Sequence, residues 1–279
     1  MKKKRFIIIM LIFILIAILI LCECIRSNNF ITVNSYALKS NKLKNHVKFV
    51  FLSDLHNKEF GEDNCDLINL IAEQSPDFIA VGGDMVTRTY ENNENMKNLF
   101  TQISKIAPVY CCLGNHERDL IYKFDFKSDI THCGATLLDN EHTAFTSKSG
   151  EEIIIIGMSD YPYPDTAEKQ YWDELHASDD LSADKYSLLL LHAPDYLYGL
   201  LPDSGIDLTM CGHTHGGLVR IPFVGGLIAP NQMFFPKYDK GLFEFGESDM
   251  IISAGLANSY PVPRFNNPPE ICVIEIQPK

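Results

Sequence analysis

Five short polar motifs in this 279-residue chain each follow directly on a run of apolar, strand-like residues. Asp54-Leu55-His56 follows Val47 to Ser53, and Gly82-Gly83-Asp84 follows Asp77 to Val81. Gly114-Asn115-His116-Glu117 follows Pro108 to Leu113, and His192 follows Tyr186 to Leu191. Gly212-His213-Thr214-His215-Gly216 follows Asp207 to Cys211. In an α/β sheet the carboxyl ends of the strands are where ligand sites gather, so this placement restricts the fold to one that brings five such ends together. The neighbouring glycines let the backbone turn sharply at those ends.

The residue types in the motifs are carboxylate, imidazole and amide, the mixture that borderline divalent metals prefer. Five of the nine histidines fall in them. There are enough donors for two ions, and paired metals are a recurrent device for hydrolysing phosphate esters. Taken singly, Asp54 or Asp84 reads as a turn carboxylate, Asn115 as a turn residue and His192 as a structural histidine. Five independent turns would not supply a complementary ligand set by chance. His46, His132, His142 and His176 lack such context and read as surface or local structure.

A further strand is expected at Ile153 to Gly157, and helical spacing of apolar residues marks Asp66 to Glu73 and Asn95 to Ile106. Asp119 to Cys133 is a weaker helix, and Pro194 to Leu201 a short one with proline near its start. After Gly241 the pattern turns to strands, at Leu242 to Phe245, Met250 to Ser253 and Ile271 to Ile276. The alternation points to an α/β layered core with added strands near the C-terminus.

The N-terminus is a separate matter. Met1-Lys2-Lys3-Lys4-Arg5 precedes an uncharged apolar run from Phe6 to Cys22, near the lower length limit for a membrane-spanning helix. The basic flank is expected to stay on the cytoplasmic side. A cleaved signal peptide is the rival reading, but no small-x-small cleavage site follows. Residues 1–26 are therefore read as a membrane anchor and 27–279 as one globular domain outside the cytoplasm. Without the anchor's net +4, the total of −12 becomes −16 on the domain. So acidic a domain is a poor binder of nucleic acid. The six later cysteines show no paired spacing, and Cys111, Cys112, Cys211 and Cys272 lie in apolar runs, as buried thiols do.

The ordered set Asp-x-His, Gly-Asp, Gly-Asn-His-Glu, a lone His after an apolar strand, and Gly-His-Thr-His resembles the calcineurin-like metallophosphoesterase superfamily over residues 46–276. The resemblance implies a four-layer α/β/β/α sandwich, here preceded by one transmembrane helix. It implies one metal held by Asp54, His56, Asp84 and His215, and a second by Asp84, Asn115, His192 and His213, with Asp84 bridging. The ions would be two divalent metals, Mn, Fe or Zn. His116 matches the family histidine that contacts the phosphoryl group or protonates the leaving oxygen, and Glu117 would orient it. A narrower likeness runs through Gly216 to Pro222, Ala229 to Gln232, Phe235 to Tyr238, Gly255 to Ser259, Pro263-Arg264 and Pro269-Glu270. It is to a membrane-associated branch of phosphodiesterase-like proteins related to UDP-2,3-diacylglucosamine hydrolases. On that likeness Arg220 and Arg264 are candidate phosphate contacts, with a salt bridge inside the acidic domain the equal alternative for either. Ile221 to Phe235 is either a lipid-facing groove or a packed loop, and Tyr161 to Pro164 a border of the cleft or a rigid loop.

The function so implied is cleavage of a phosphodiester or pyrophosphate by metal-activated water. The substrate would be a lipid-linked or nucleotide-linked phosphate ester near the membrane. A phosphomonoesterase or protein phosphatase would use the same ligands, and a non-catalytic metal-binding scaffold would tolerate loss of one.

Overall fold

The structure is a computed structural model that describes residues 2–90, 92–158, 166–195, 197–230, 233–258 and 262–279. Tyr161 to Pro164, expected near the cleft, lie outside the described residues. Helix α1 (Lys2–Asn29) leads into β1 (Thr32–Ser40) and β2 (Val47–Leu52). Then come α2 (Cys65–Glu73), β3 (Phe78–Val81), α3 (Glu94–Ile103), β4 (Val109–Cys111), the single turn α4 (Asn115–Arg118), α5 (Phe126–His132) and β5 (Thr136–Leu137). Strands β6 (Glu141–Thr146) and β7 (Glu152–Met158) form a hairpin, and α6 (Ala167–His176) precedes β8 (Tyr186–Leu191) and β9 (Leu208–Cys211). Two small ribbons follow, β10 (Arg220–Ile221) with β11 (Gly225–Gly226) and β12 (Ile228–Ala229) with β13 (Met233–Phe234). The chain closes with β14 (Gly241–Phe245), β15 (Ser248–Ile252) and β16 (Glu270–Pro278).

Two six-stranded sheets result, in the orders β1-β16-β2-β3-β4-β5 and β14-β15-β9-β8-β7-β6. The period of two along each strand decides which layer each side chain enters. On β2, Val47, Phe49 and Phe51 enter the core between the sheets, while Val50 and Leu52 face α2 and α3. On β8, Tyr186, Leu188 and Leu190 meet the same central core, and Leu189 and Leu191 face α6 and the turns beside it. The inter-sheet layer is therefore built by both sheets at once, with helices outside each: an α/β/β/α sandwich. Each fully buried Phe, Leu or Ile in it is worth about 1.5–3 kcal/mol.

The strands expected from sequence are all present within a residue or two at their ends. The helix expected over Asp119 to Cys133 is broken. The chain makes α4, then turns, and restarts at α5, where the Asp125 side chain accepts the Ser128 N–H at 3.0 Å. Among the described residues of Pro194 to Leu201 there is no α-helix; two 3-10 turns, Leu197–Gly199 and Leu201–Asp203, are found there instead. Strands β1, β5, β6 and β10 to β13 and helix α6 carry no expectation from the sequence. Strand β1 is an edge strand paired in parallel with β16 and carries mostly polar residues.

Residues Phe6 to Leu21 of α1 project from the domain with almost every side chain exposed. The helix is long and apolar enough to cross a membrane, a description a signal sequence also meets. Its last turn is tied to the domain. The Asn266 N–H donates to Glu23 Oε1 at 3.1 Å and the Asn267 N–H to Ser27 Oγ at 3.2 Å. Asn28 exchanges hydrogen bonds with the backbone of Arg264.

Candidate metal centre

Strands β2, β3 and β4 are parallel neighbours in one sheet, and β8 and β9 are parallel neighbours in the other. Their carboxyl ends lie side by side, so all five motifs meet in one place. Asp54, Asp84, His116, His192 and His215 are at most 2% exposed there, and His56 7%. Three groups of side chains have donor atoms within 4.8 Å of one another: Asp54 with His56 and His215, His56 with Asp84 and His116, and Asp84 with His192 and His213. Asn115 joins the last group through Oδ1, 3.0 Å from His213 Nδ1. The eight residues singled out from the sequence for the centre therefore lie close together.

The backbone is forced to aim these side chains. Asp54, His56, Asp84, His213 and His215 all have positive φ, between 49° and 67°. Such a conformation costs about 1–3 kcal/mol per residue and persists only where its surroundings hold it. Here the loops are laced together: Asp54 N–H donates to Gly83 O, His56 N–H to Asp84 O and Asn57 N–H to Met85 O, each at 3.0 Å. The close approach leaves no room beside the carboxylates. A Cβ on Gly114 would overlap Asp84 Oδ1, and one on Gly212 would overlap Asp54 Oδ2.

Hydrogen bonds also fix the imidazole tautomers. His192 Nδ1–H donates to Gly82 O at 2.6 Å, so its Nε2 carries a lone pair. That lone pair stands 3.1 Å from Asp84 Oδ2. Two acceptors at this distance need a proton or a cation between them. In the absence of a metal the proton is held on the pair. Despite burial, Asp84 raises His192 to about 10, and His192 in turn keeps the Asp84 carboxyl well below the usual carboxylate range against the effect of burial. His215 Nδ1–H donates to Ala257 O at 3.1 Å, which frees Nε2. Neither His56 nitrogen has a hydrogen-bond partner among the described residues, and Nε2 lies 3.9 Å from both Asp54 Oδ1 and Asp84 Oδ2. Burial holds His56 at about 4, His213 at about 3 and His215 well below the ordinary imidazole value, so all three are neutral lone-pair donors. Burial pushes Asp54 up to about 6. Neutral imidazoles and anionic carboxylates without enough protons to satisfy them are what a divalent cation requires. The donor set fits one or more such ions.

Glu117 does not orient His116, as expected from sequence. Its carboxylate accepts the N–H groups of Asp84 at 2.8 Å, Met85 at 2.6 Å, Val86 at 3.1 Å and Gly114 at 2.9 Å. It therefore pins the Asp84 loop to the start of α4. Burial, reinforced by the Asp84 charge, pushes Glu117 up to about 7 against those bonds. His116 is instead oriented by the Arg88 N–H, which donates to its Nδ1 at 3.1 Å, and its own N–H donates to Asp84 Oδ1 at 2.8 Å. The proton of neutral His116 then sits on Nε2, 3.9 Å from Asp84 Oδ2. Burial lowers its pKa, so the neutral donor form prevails near neutrality.

Arg220 makes a salt bridge within the domain. Its Nη1 is engaged by Asp239 at 2.8 Å and Gly216 O at 2.7 Å. Two residues at the centre escaped the sequence reading. Asp195 Oδ2 lies 3.8 Å from His213 Nε2, three residues beyond His192 across a proline. Asn267 donates to the carbonyls of His215 at 2.7 Å and Leu218 at 3.2 Å and so holds the closing motif. The other four histidines are local: His46 lies beside Glu275, His132 bonds Ser128 O, His142 bonds Tyr171, and His176 bonds Trp172 O and Ser204 O. All eight cysteines are free, and Cys111, Cys112, Cys211 and Cys272 are buried.

Residues 47–217, which hold all five motifs, match the calcineurin-like phosphoesterase family. The chain belongs to that family. Over 234 residues it is 30% identical to phosphodiesterase YaeI of Escherichia coli, covering 82% of each chain. It is 28% identical to the metallophosphoesterase YkuE of Bacillus subtilis, over 82% of this chain and 79% of the relative. A metallophosphoesterase of Aquifex aeolicus is 26% identical, over 90% of this chain and 93% of its own. The protein is a metal-dependent phosphoesterase, a hydrolase of phosphate esters, and members of the family typically use two divalent metals. The expected relation to UDP-2,3-diacylglucosamine hydrolases is not shown by these relatives.

Proposed function

We propose that this chain is a membrane-anchored, two-metal phosphodiesterase or pyrophosphatase. The observation that carries the two-metal reading is that Asp84 shares one donor group with His56 and another with His192 and His213, while His56 also joins a third with Asp54 and His215. We assign Asp54, His56, Asp84 and His215 to one ion and Asp84, Asn115, His192 and His213 to the other. When bound, two such cations would supply an acidified water for attack on phosphorus and would neutralise charge on the phosphoryl oxygens.

The chain's own residues supply the rest. Asp84 holds both halves at a fixed separation. His192 and His215 present Nε2 because Gly82 O and Ala257 O take the other nitrogen's proton. His116 presents Nε2–H, which would donate a hydrogen bond to a phosphoryl oxygen or the leaving oxygen and stabilise the charge that develops there. The preference for diesters rests on likeness to a protein named as a phosphodiesterase.

The basic residues Lys2 to Arg5 would keep the N-terminus in the cytoplasm and place the domain on the opposite face. The ties between the last turn of α1 and residues 264–267 would then hold the centre close to the membrane. Phe223, Val224, Phe234 and Phe235 are exposed rather than packed on the core. That favours the lipid-facing reading of Ile221 to Phe235 and a lipid-linked substrate. Full-length protein in detergent, loaded with Mn, should turn over bis(p-nitrophenyl) phosphate faster than p-nitrophenyl phosphate. The reverse order would make it a monoesterase, and no turnover of either would reject the reading. A reporter fused after Lys279 should signal only from outside the cytoplasm.

A further inference from the structure

A cleft of about 280 Å³ opens between the metal centre and the foot of α1. His56, one of the proposed metal ligands, lines it, together with Asn28 of α1, Lys58, Asn258, Val262 and Arg264. Two of its lining side chains are cationic, and none of the described lining residues is a carboxylate.

Arg264 is the unusual member. It is 1% exposed, among the largest fully buried side chains of the domain. A guanidinium so deep is normally paired with a carboxylate, because an unpaired buried charge is costly. No carboxylate bonds it among the described residues, although the Asp54 and Glu270 charges act on it from a distance. The nearest acid in sequence, Glu270, is occupied by Lys240, Asn34 and the Ala254 N–H. Arg264 Nε donates to Asn258 Oδ1 at 2.7 Å, and Nη2 donates to the carbonyls of Ala254 and Ala257. Those bonds account for a loop-tying role. They leave Nη1 buried without a partner, on a side chain that lines the cleft.

Lys58 makes the same point from the other wall. It donates to the Asn28 carbonyl, its Nζ lies 4.6 Å from the Phe60 ring centroid, and no acidic side chain bonds it. Loop-tying by Arg264 gives no reason for a second cation in the same cleft. The one unengaged guanidinium nitrogen, Nη1, and a point charge around a small cleft suit a phosphate group.

We propose that Lys58 and Arg264 form an anion subsite that takes a second phosphate group of the substrate, beside the one attacked at the metals. The inference rests on the phosphohydrolase reading and narrows it to substrates carrying two phosphates, joined as a pyrophosphate or borne separately on one molecule. The second phosphate could belong to a lipid or to a soluble nucleotide.

The test begins with full-length protein in detergent, stripped of metal by a chelator, and inorganic phosphate followed by 31P line broadening. Wild type should bind phosphate saturably. Lys58→Gln should weaken binding about tenfold, the loss of one charge-assisted hydrogen bond. Arg264→Lys, which keeps the charge but not the fork, should weaken it several-fold with the thermal melt retained. Absence of saturable binding, or wild-type affinity in Lys58→Gln, would overturn the subsite whatever Arg264→Lys does. Metal-loaded protein gives the second readout. Lys58→Gln should lose about tenfold in kcat/KM on ADP-ribose and less than about twofold on bis(p-nitrophenyl) phosphate. Equal losses on both would contradict a second-phosphate role. If wild type hydrolyses neither, the phosphohydrolase reading fails while the binding result stands on its own. Repeating the phosphate titration in nanodiscs of phosphatidylcholine with and without phosphatidic acid identifies the source. Weaker apparent affinity in the acidic discs points to a lipid phosphate, and equal affinity to a soluble one.

Discussion

The two sheets contribute unlike halves to the centre. The first, through β2, β3 and β4, supplies both carboxylates of the three donor groups as well as His56, Asn115 and His116. The second, through β8 and β9, supplies only imidazoles: His192, His213 and His215. The first half also orients the second. Its Gly82 carbonyl sets the His192 tautomer, and its Asp54 carboxylate accepts the His213 N–H at 3.2 Å. The charge that draws cations in is thus concentrated on one sheet. The other adds imidazoles, of which His213 and His215 are held neutral by burial while His192 keeps a proton shared with Asp84. Changes on the carboxylate side should therefore cost more than changes on the imidazole side.

Asp84→Asn should show the largest effect. It removes the charge shared by two donor groups, and turnover should fall by at least about a thousandfold, roughly 4 kcal/mol of transition-state stabilisation. Retention of more than a tenth of the activity would break the asymmetry. His116→Ala comes next: turnover should fall by about 10²–10⁴-fold with metal content unchanged. Loss of metal would instead make His116 a ligand.

Proton linkage offers a third, intermediate test. His192 sits at about 10 because Asp84 stands beside it, so it is protonated through the neutral range in the metal-free protein. A ligand nitrogen must lose that proton, so metal affinity should rise with pH between 6 and 8, with protons released on binding. Calorimetry in two buffers of different ionisation heat would detect the release. Affinity independent of pH would place the first ion away from His192. The smallest effect belongs to Arg220→Met. Its bridge to Asp239 is only partly buried, so stability should fall by about 1 kcal/mol or less. The KM for bis(p-nitrophenyl) phosphate should not move; a rise would return Arg220 to the site.

The contrast also explains what could be read in advance. The ligands were legible because each is a polar residue at the end of an apolar run, and a strand carries that information in a few adjacent positions. The two-sheet core was legible in the β-rich runs, but its layering depends on which face of Val47 to Leu52 meets which partner, and that needs the pairing. Three features had no local signal. Strand β1 is polar and exists because β16 offers it an edge. Glu117 stands next to His116 in sequence yet acts on Asp84, because the α4 turn points its carboxylate back at the preceding loop. The Lys58–Arg264 cleft joins residues some 200 positions apart. The positive φ of five ligand residues was hidden too, although Asp and His tolerate that conformation better than most residues.

The central claim is that Asp84 holds two ions between the unlike halves. Metal content per chain, measured by mass spectrometry on wild type and Asp84→Asn full-length protein after loading and desalting, tests it most directly. Two ions per wild-type chain, falling to one or none in the variant, is the predicted result. A single ion in wild type, or two retained in Asp84→Asn, would contradict it.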